Sequence, residues 1–268
     1  MNLSQPTYQA SILPRAPDFS LTHKRALVTG ASRGIGVAAA SSLCEYGADV
    51  TLVARSLDEA EIVADELRKR GGRARAAKLD VTDLANLPHA LQAIVGDGEP
   101  FDILVNNAGT NRPAPFVDVT VDDFDAVMGL NVRSAFFVAQ FVAAALIRSG
   151  RAGSIINMSS QMGHVGAPMR TVYCTSKHAV QGLTKAMAVE LGHHGIRVNA
   201  ICPTFIETPM TRDFLASDGF RLDVLSRIKL GRVATLEDVT GAVLYLASDA
   251  SSMVTGSSLM VDGGWTAE

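Results

Sequence analysis

The chain has 268 residues, 47% hydrophobic and 19% charged, with a formal net charge of −3. That length and composition can bury a large core and suit a single α/β domain, and the charge offers no attraction to nucleic acid or an anionic membrane. Three widely spaced cysteines, Cys44, Cys174 and Cys202, match no zinc or CxxC pattern and suit a reducing compartment.

Residues 1–17 carry Pro6, Pro14 and Pro17 with little periodicity and no basic-then-apolar signal pattern. An extended or disordered arm is expected there, ahead of a catalytic domain spanning 18–268. Strand-like and helical stretches then alternate: a strand over 24–29, a helix over 35–46, a strand over 49–54 and a charged helix over 57–70. A strand over 73–79, a helix over 83–95 and a strand over 101–105 follow. Next come a long helix over 121–148, a strand over 154–158 and a second long helix over 171–192. The series closes with stretches over 196–202, 236–248 and 258–261.

Strands that lack period-two alternation and are separated by helices predict a parallel sheet covered on both faces. With right-handed crossovers this becomes a single-domain, doubly wound α/β fold of Rossmann type. The irregular stretch 205–232 follows the sixth strand, where such folds place their ligand crevice, and is expected to act as a substrate lid. The most apolar helical stretch, 136–147, is interrupted by Gln140 and falls short of the ~20 residues of a membrane span. A soluble, cytoplasmic protein without a membrane partner is the expectation.

Two segments carry chemistry. Between the first strand and first helix lies Thr29-Gly30-Ala31-Ser32-Arg33-Gly34-Ile35-Gly36. Its glycines let the backbone approach a pyrophosphate, and the helix start offers free N–H groups and a positive dipole end. The spacing is not GxGxxG, so the loop is either a plain turn or a nucleotide cradle; its place after an apolar strand suits the second. In Tyr173-Cys174-Thr175-Ser176-Lys177 the tyrosine and lysine share one helix face. A free phenol titrates near ~10, and an adjacent ammonium favours its ionised form. The same spacing also arises as a packed tyrosine beside a solvated lysine.

Together, TGASRGIG at 29–36, NNAG at 106–109, Asn131, Ser160, YCTSK at 173–177 and VDGG at 261–264 resemble the short-chain dehydrogenase/reductase family, in order and spacing, from about Asp18 to Trp265. The resemblance implies an NAD(P)-binding sheet of about seven strands, a homotetramer or homodimer, and no metal. It implies that Tyr173 is the base in alcohol oxidation and the acid in ketone reduction. Lys177 would lower its pKa and bond the nicotinamide ribose, Asn131 would hold a water near the lysine, and Ser160, rather than its neighbour Ser159, would polarise the substrate. Cofactor contacts would come from Gly30, Ser32, Arg33, Gly34, Ile35 and Gly36, from the adenine-binding pair Asp80 and Val81, from Asn106 and Gly109, and from Pro203, Ile206 and Thr208. Asp80 also has a second reading as a helix cap ahead of Asp83.

The chain departs from the family at Pro203-Thr204, where Pro-Gly is usual, and Thr204 should narrow the pocket beside the nicotinamide. The implied activity is an NAD(P)-dependent oxidoreductase interconverting a secondary alcohol and a ketone, with polyols, sugars and sugar acids favoured. Arg112, His164, Arg170 and Arg212 either form a positive mouth for an acid or are solvated. A sugar-nucleotide epimerase or dehydratase shares the Tyr-Lys pair but shows GxxGxxG and a longer C-terminal domain. A non-enzymatic dinucleotide sensor on the same fold has no need of a proton relay.

Cofactor choice is read at the end of the second strand. A carboxylate there accepts hydrogen bonds from the ribose 2′-hydroxyl of NAD. Here the strand ends in Ala54, followed by Arg55, which leaves room for a 2′-phosphate and supplies a planar fork to pair with it. NADP(H) is therefore expected to be preferred, with NAD(H) left open and Arg33 as a second cation. The other reading stacks Arg55 on the adenine.

Overall fold

The computed structural model describes residues 15–96 and 98–268. Most of the expected arm, residues 1–14, lies outside them, while 15–17 are exposed and without regular structure.

Seven strands form one parallel sheet: β1 (Arg25–Thr29), β2 (Asp49–Ala54), β3 (Arg73–Lys78), β4 (Ile103–Asn106), β5 (Gly153–Met158), β6 (Ile196–Pro203) and β7 (Ser258–Val261). Their order is β3-β2-β1-β4-β5-β6-β7. The central strands are apolar on both faces because helices cover both: Ala26, Leu27 and Val28 of β1 are fully buried. Helices α1 (Ile35–Glu45) and α2 (Leu57–Lys69) pack on one face with the last helix, and α3 (Leu87–Val95) on the other. The chain continues through α4 (Val121–Met128), α5 (Ser134–Ser149), α6 (Thr171–Leu191), α7 (Arg212–Leu215), α8 (Asp218–Arg227) and α9 (Glu237–Ala247). Strand order reverses between β1 and β4, and the loops after these strands open the crevice in which doubly wound folds bind ligands.

Local chemistry sets the helix limits. The Ser56 hydroxyl accepts the Glu59 N–H, and α2 carries Asp58 and Glu59 in its first turn and Arg68 and Lys69 in its last, matching the helix dipole. Helix α3 starts at Leu87 rather than near 83, because Asp80, Asp83 and Asn86 close turns ahead of it and Pro88 suits the first helical turn. The long helix expected over 121–148 is interrupted by a π-helical turn at Gly129–Arg133, with Asn131 at its middle. The run Val121–Ser149 is long and apolar enough by composition to cross a membrane. Here it packs on the sheet, with Val138, Val142 and Leu146 buried in the core.

The segment 205–232 forms a small subdomain. Leu215, Val224 and Ile228 make a satellite core with Phe205, Phe220 and Trp265 packed against it. Phe205 meets Phe220 edge-on at 5.4 Å, and the Arg227 guanidinium lies 5.6 Å from the centre of the Trp265 ring. Trp265 therefore packs against partners within its own chain. Asp262 folds the C-terminal turn beneath by accepting the Gly264 and Thr266 N–H groups.

Candidate active site

A cleft of about 390 Å³ runs along the C-terminal ends of β1, β2, β3 and β4. Its floor is the glycine loop. Gly30 has φ +63°, and a Cβ there would meet the Ala108 Cα at 2.9 Å. A Cβ on Gly36 would lie 2.3 Å from the Gly30 carbonyl oxygen, so this glycine lets the loop close on itself and does not itself line the cleft. Gly34 starts α1 without a side-chain cap and with no acidic residue in the first turn, which leaves the helix N–H groups for an anion. Ser32, Arg33 and Ile35 line the same end.

The NNAG segment divides its labour in a way the sequence did not reveal. Asn106 points into the sheet, donating to the Ala135 carbonyl and the Asn157 Oδ1, and does not line the cleft. Asn107 braces the glycine loop instead, its Nδ2 donating to the Thr29 and Gly30 carbonyls at 3.0 and 3.1 Å. The Thr29 hydroxyl accepts the Asn107 and Ala108 N–H groups at 3.0 Å. Gly109 keeps the turn open: a Cβ there would be 3.3 Å from Asn131 Oδ1 and 3.8 Å from Lys177 Nζ.

Arg55, Asp80 and Val81 line the far end of the cleft. The Asp80 carboxylate accepts from the Thr82 hydroxyl and N–H. These bonds, with the charge of Arg55, hold it below the usual carboxylate range. Thr208 closes the opposite wall near Gly34. Pro203 and Ile206 do not line the cleft; the Pro203 carbonyl accepts from Ser160, and Ile206 is buried, bridging to Ala234.

Tyr173 lines both this cleft and a second pocket of about 70 Å³, in which Ser160 lies. The two serines separate as strand alternation requires. Ser159 turns inward, bonding the Lys177 carbonyl and Gln181, whereas the Ser160 hydroxyl donates to Gln161 Oε1 at 2.6 Å. Burial pushes the Tyr173 phenol up to about 12, against the opposing pull of Ser160 and of Arg170. Burial brings the Lys177 ammonium down to about 8. Its Nζ donates to the Met158 carbonyl at 2.8 Å and sits 5.5 Å from the centre of the tyrosine ring. In this structure burial thus outweighs any lowering of the phenol by Lys177, contrary to the simple reading of their spacing.

Asn131 is fully engaged. Its Oδ1 accepts the Thr110 N–H at 2.8 Å, and its Nδ2 donates to the Thr110 carbonyl and to Ser176 Oγ. The amide clamps the loop after β4 to α6, and the π turn around it places the residue there.

Among known proteins, a family model described as enoyl-(acyl carrier protein) reductase matches residues 30–266. Gluconate 5-dehydrogenase of Gluconobacter oxydans (strain 621H) is 41% identical over 251 residues, covering 93% of this chain and 98% of that protein. The chain belongs to the short-chain dehydrogenase/reductase family. L-xylulose reductase of Bos taurus is 41% identical over 250 residues, covering 93% and 99% of the two chains. A solved gluconate 5-dehydrogenase from Burkholderia cenocepacia J2315, in complex with NADP and tartrate, is 36% identical with a TM-score of 0.90, covering 93% of this chain and 98% of that one.

This short-chain dehydrogenase/reductase is accordingly an NAD(P)-dependent oxidoreductase that interconverts a secondary alcohol and a ketone. The residues present fit the dinucleotide. The loop admits no Cβ at Gly30 or Gly36, the α1 N-terminus is uncapped, and the cleft runs from Arg55 to Tyr173.

Proposed function

We propose that the protein is an NADP(H)-preferring dehydrogenase/reductase of a polyhydroxylated substrate, a sugar, polyol or sugar acid, and that Tyr173 carries the proton. The observation behind this is the position of Tyr173, the side chain that, with Met210, lines both the long cleft and the small pocket. The bound cofactor supplies or accepts the hydride. In oxidation the Tyr173 oxygen takes the proton of the substrate hydroxyl, and in reduction it returns a proton to the ketone oxygen. Ser160 donates to the same oxygen and holds it toward the tyrosine. Lys177 contributes positive charge that favours the phenolate and a donor for the nicotinamide ribose, while Asn131 fixes the loop beside it. The substrate class is supported by the names of the relatives, among them gluconate 5-dehydrogenase, L-xylulose reductase and D-threitol dehydrogenase. Measuring NADP+ reduction against a panel of polyols, sugars and sugar acids tests it; activity confined to acyl or steroid-like ketones would reject it.

The preference for NADP(H) rests on Arg55 and Arg33, which line the cleft beside Ala54 with no carboxylate at the end of β2. Solved relatives with bound NADP support it. Arg55→Asp should lower kcat/KM for NADP+ by ~100-fold and leave that for NAD+ within about threefold, since a charge-assisted fork to the phosphate is lost. A wild-type ratio already favouring NAD+ would overturn the assignment.

A cytoplasmic homotetramer completes the reading. Phe116, Val117 and Val121 are 76%, 86% and 75% exposed, and Phe124, Phe136 and Phe137 extend the apolar surface along α4 and α5. An apolar patch of this kind marks an interaction surface. Light scattering is expected to report about four times the 28.3 kDa chain mass, and Phe124→Glu with Phe136→Glu should shift it downward. A wild-type particle of 28.3 kDa would reject the assembly.

A further inference from the structure

The small pocket beside Tyr173 is walled by buried polar side chains whose bonding is incomplete. Gln161 Nε2, Thr204 Oγ1 and Asn111 Oδ1 are buried there without hydrogen-bond partners. Arg170 lines the same pocket and is only 8% exposed. Its guanidinium carbon lies 4.9 Å from the centre of the Phe214 ring, and its one hydrogen bond runs from Nη1 to its neighbour's carbonyl at 3.4 Å. Among the described residues no carboxylate pairs with it, and burial depresses its pKa. A guanidinium offers five donors, and burying such a cation unpaired is costly. The backbone adds to the cost: Met169, immediately before, takes φ +59°, a left-handed conformation unusual for a non-glycine residue. Its carbonyl accepts the Ala114 N–H, which fixes the turn that carries Arg170 at the start of α6.

The other cations near the mouth are occupied or displaced. Arg112 pairs with Asp123 at 2.9 Å, His164 faces Cys202, and neither they nor Arg212 line the pocket.

We infer that Arg170 is an anion anchor and that the substrate is a hydroxy acid rather than a neutral polyol. The carboxylate pairs with the guanidinium, the carbinol carbon lies between Ser160 and Tyr173, and further hydroxyls bond Gln161, Asn111 and Thr204. Thr204 takes up space in the pocket wall and presents a hydroxyl there. The inference rests on the dehydrogenase reading above and selects one substrate class within it.

The test compares two four-carbon probes with the same carbon skeleton and two inner hydroxyls, L-tartrate and L-threitol, by thermal shift of the NADP+-loaded enzyme at matched ionic strength. Tartrate is expected to raise the melting temperature and threitol to leave it unchanged. Arg170→Met and Arg170→Gln should each abolish the tartrate shift while keeping the shift caused by NADP+, and Arg112→Met should keep both. In turnover, kcat/KM for D-gluconate should fall ~100-fold or more in Arg170→Met, with that for its neutral amide within about threefold. Equal shifts with tartrate and threitol in the wild type, or a tartrate shift that survives both Arg170 variants, would overturn the anchor. A tartrate shift with no turnover of any hydroxy acid or polyol would instead reject the proposed reaction and leave the anchor standing.

Discussion

Tyr173→Phe is expected to lower kcat by ~10³-fold, the scale of a lost general acid–base, with NADP+ affinity changed less than threefold. Phenylalanine fills the same ring volume in this half-buried position, so packing, Ser160 and the glycine loop should survive. Only the ionisable oxygen goes. The direction of the phenol's pKa adds a second signature. Burial pushes it up to about 12, so the protonated form dominates near neutrality. Alcohol oxidation needs the phenolate and should accelerate as pH rises, whereas ketone reduction needs the phenol and should not. Stopped-flow or steady-state rates in both directions check this; a variant retaining a tenth of the wild-type rate removes Tyr173 from the reaction.

Lys177→Met is expected to cut kcat/KM by ~100-fold or more without a matching loss of stability. The ammonium is held in the core, where burial lowers its pKa from 10.5 to about 8. That displacement is worth about 3 kcal/mol against the charged form. Methionine removes the buried charge but leaves the Met158 carbonyl without its donor, and the two effects offset each other. The sign with pH follows from proton counting. Below pH 8 the lysine is protonated in both states and the penalty is complete. Between pH 8 and 10.5 the unfolded chain binds the proton and the folded chain has lost it, so stability rises with pH across that window. The buried phenol and thiols titrate at the alkaline end as well, so the quantity to measure is the difference between the denaturation curves of the two proteins. That difference should move in favour of the wild type as pH rises above 8. A difference constant with pH would mean that Lys177 is not buried as a charge.

Much of the architecture was legible because the sheet is buried on both faces. Uninterrupted apolar runs such as Ala26–Val28 have few alternatives to a central parallel strand, and the glycine loop's place after β1 located the crevice. Boundaries suffered where local polar chemistry competed with the helix period. Asp83 and Asn86 looked like a helical turn but close a loop before α3. The π turn at Gly129–Arg133 was invisible because the apolar pattern runs on through it.

Within the site, residue types were easier to read than directions. NNAG marks the cofactor loop, yet only the pleat decides that Asn106 enters the sheet and Asn107 braces the glycines. The Tyr173–Lys177 spacing places the two on one helix face, but the carbonyl of Met158, far away in sequence, decides where the ammonium points. Gln161 and Asn111 come from loops without periodicity, and nothing local marks them as pocket walls.

The most direct test of the account is the appearance of NADPH when the purified protein is given NADP+ and D-gluconate, run in parallel with Tyr173→Phe and with NAD+. The wild type should form NADPH steadily and turn over more slowly with NAD+, and the variant should give a nearly flat trace. Wild-type and Tyr173→Phe traces of equal slope, or turnover with NAD+ alone, would contradict it.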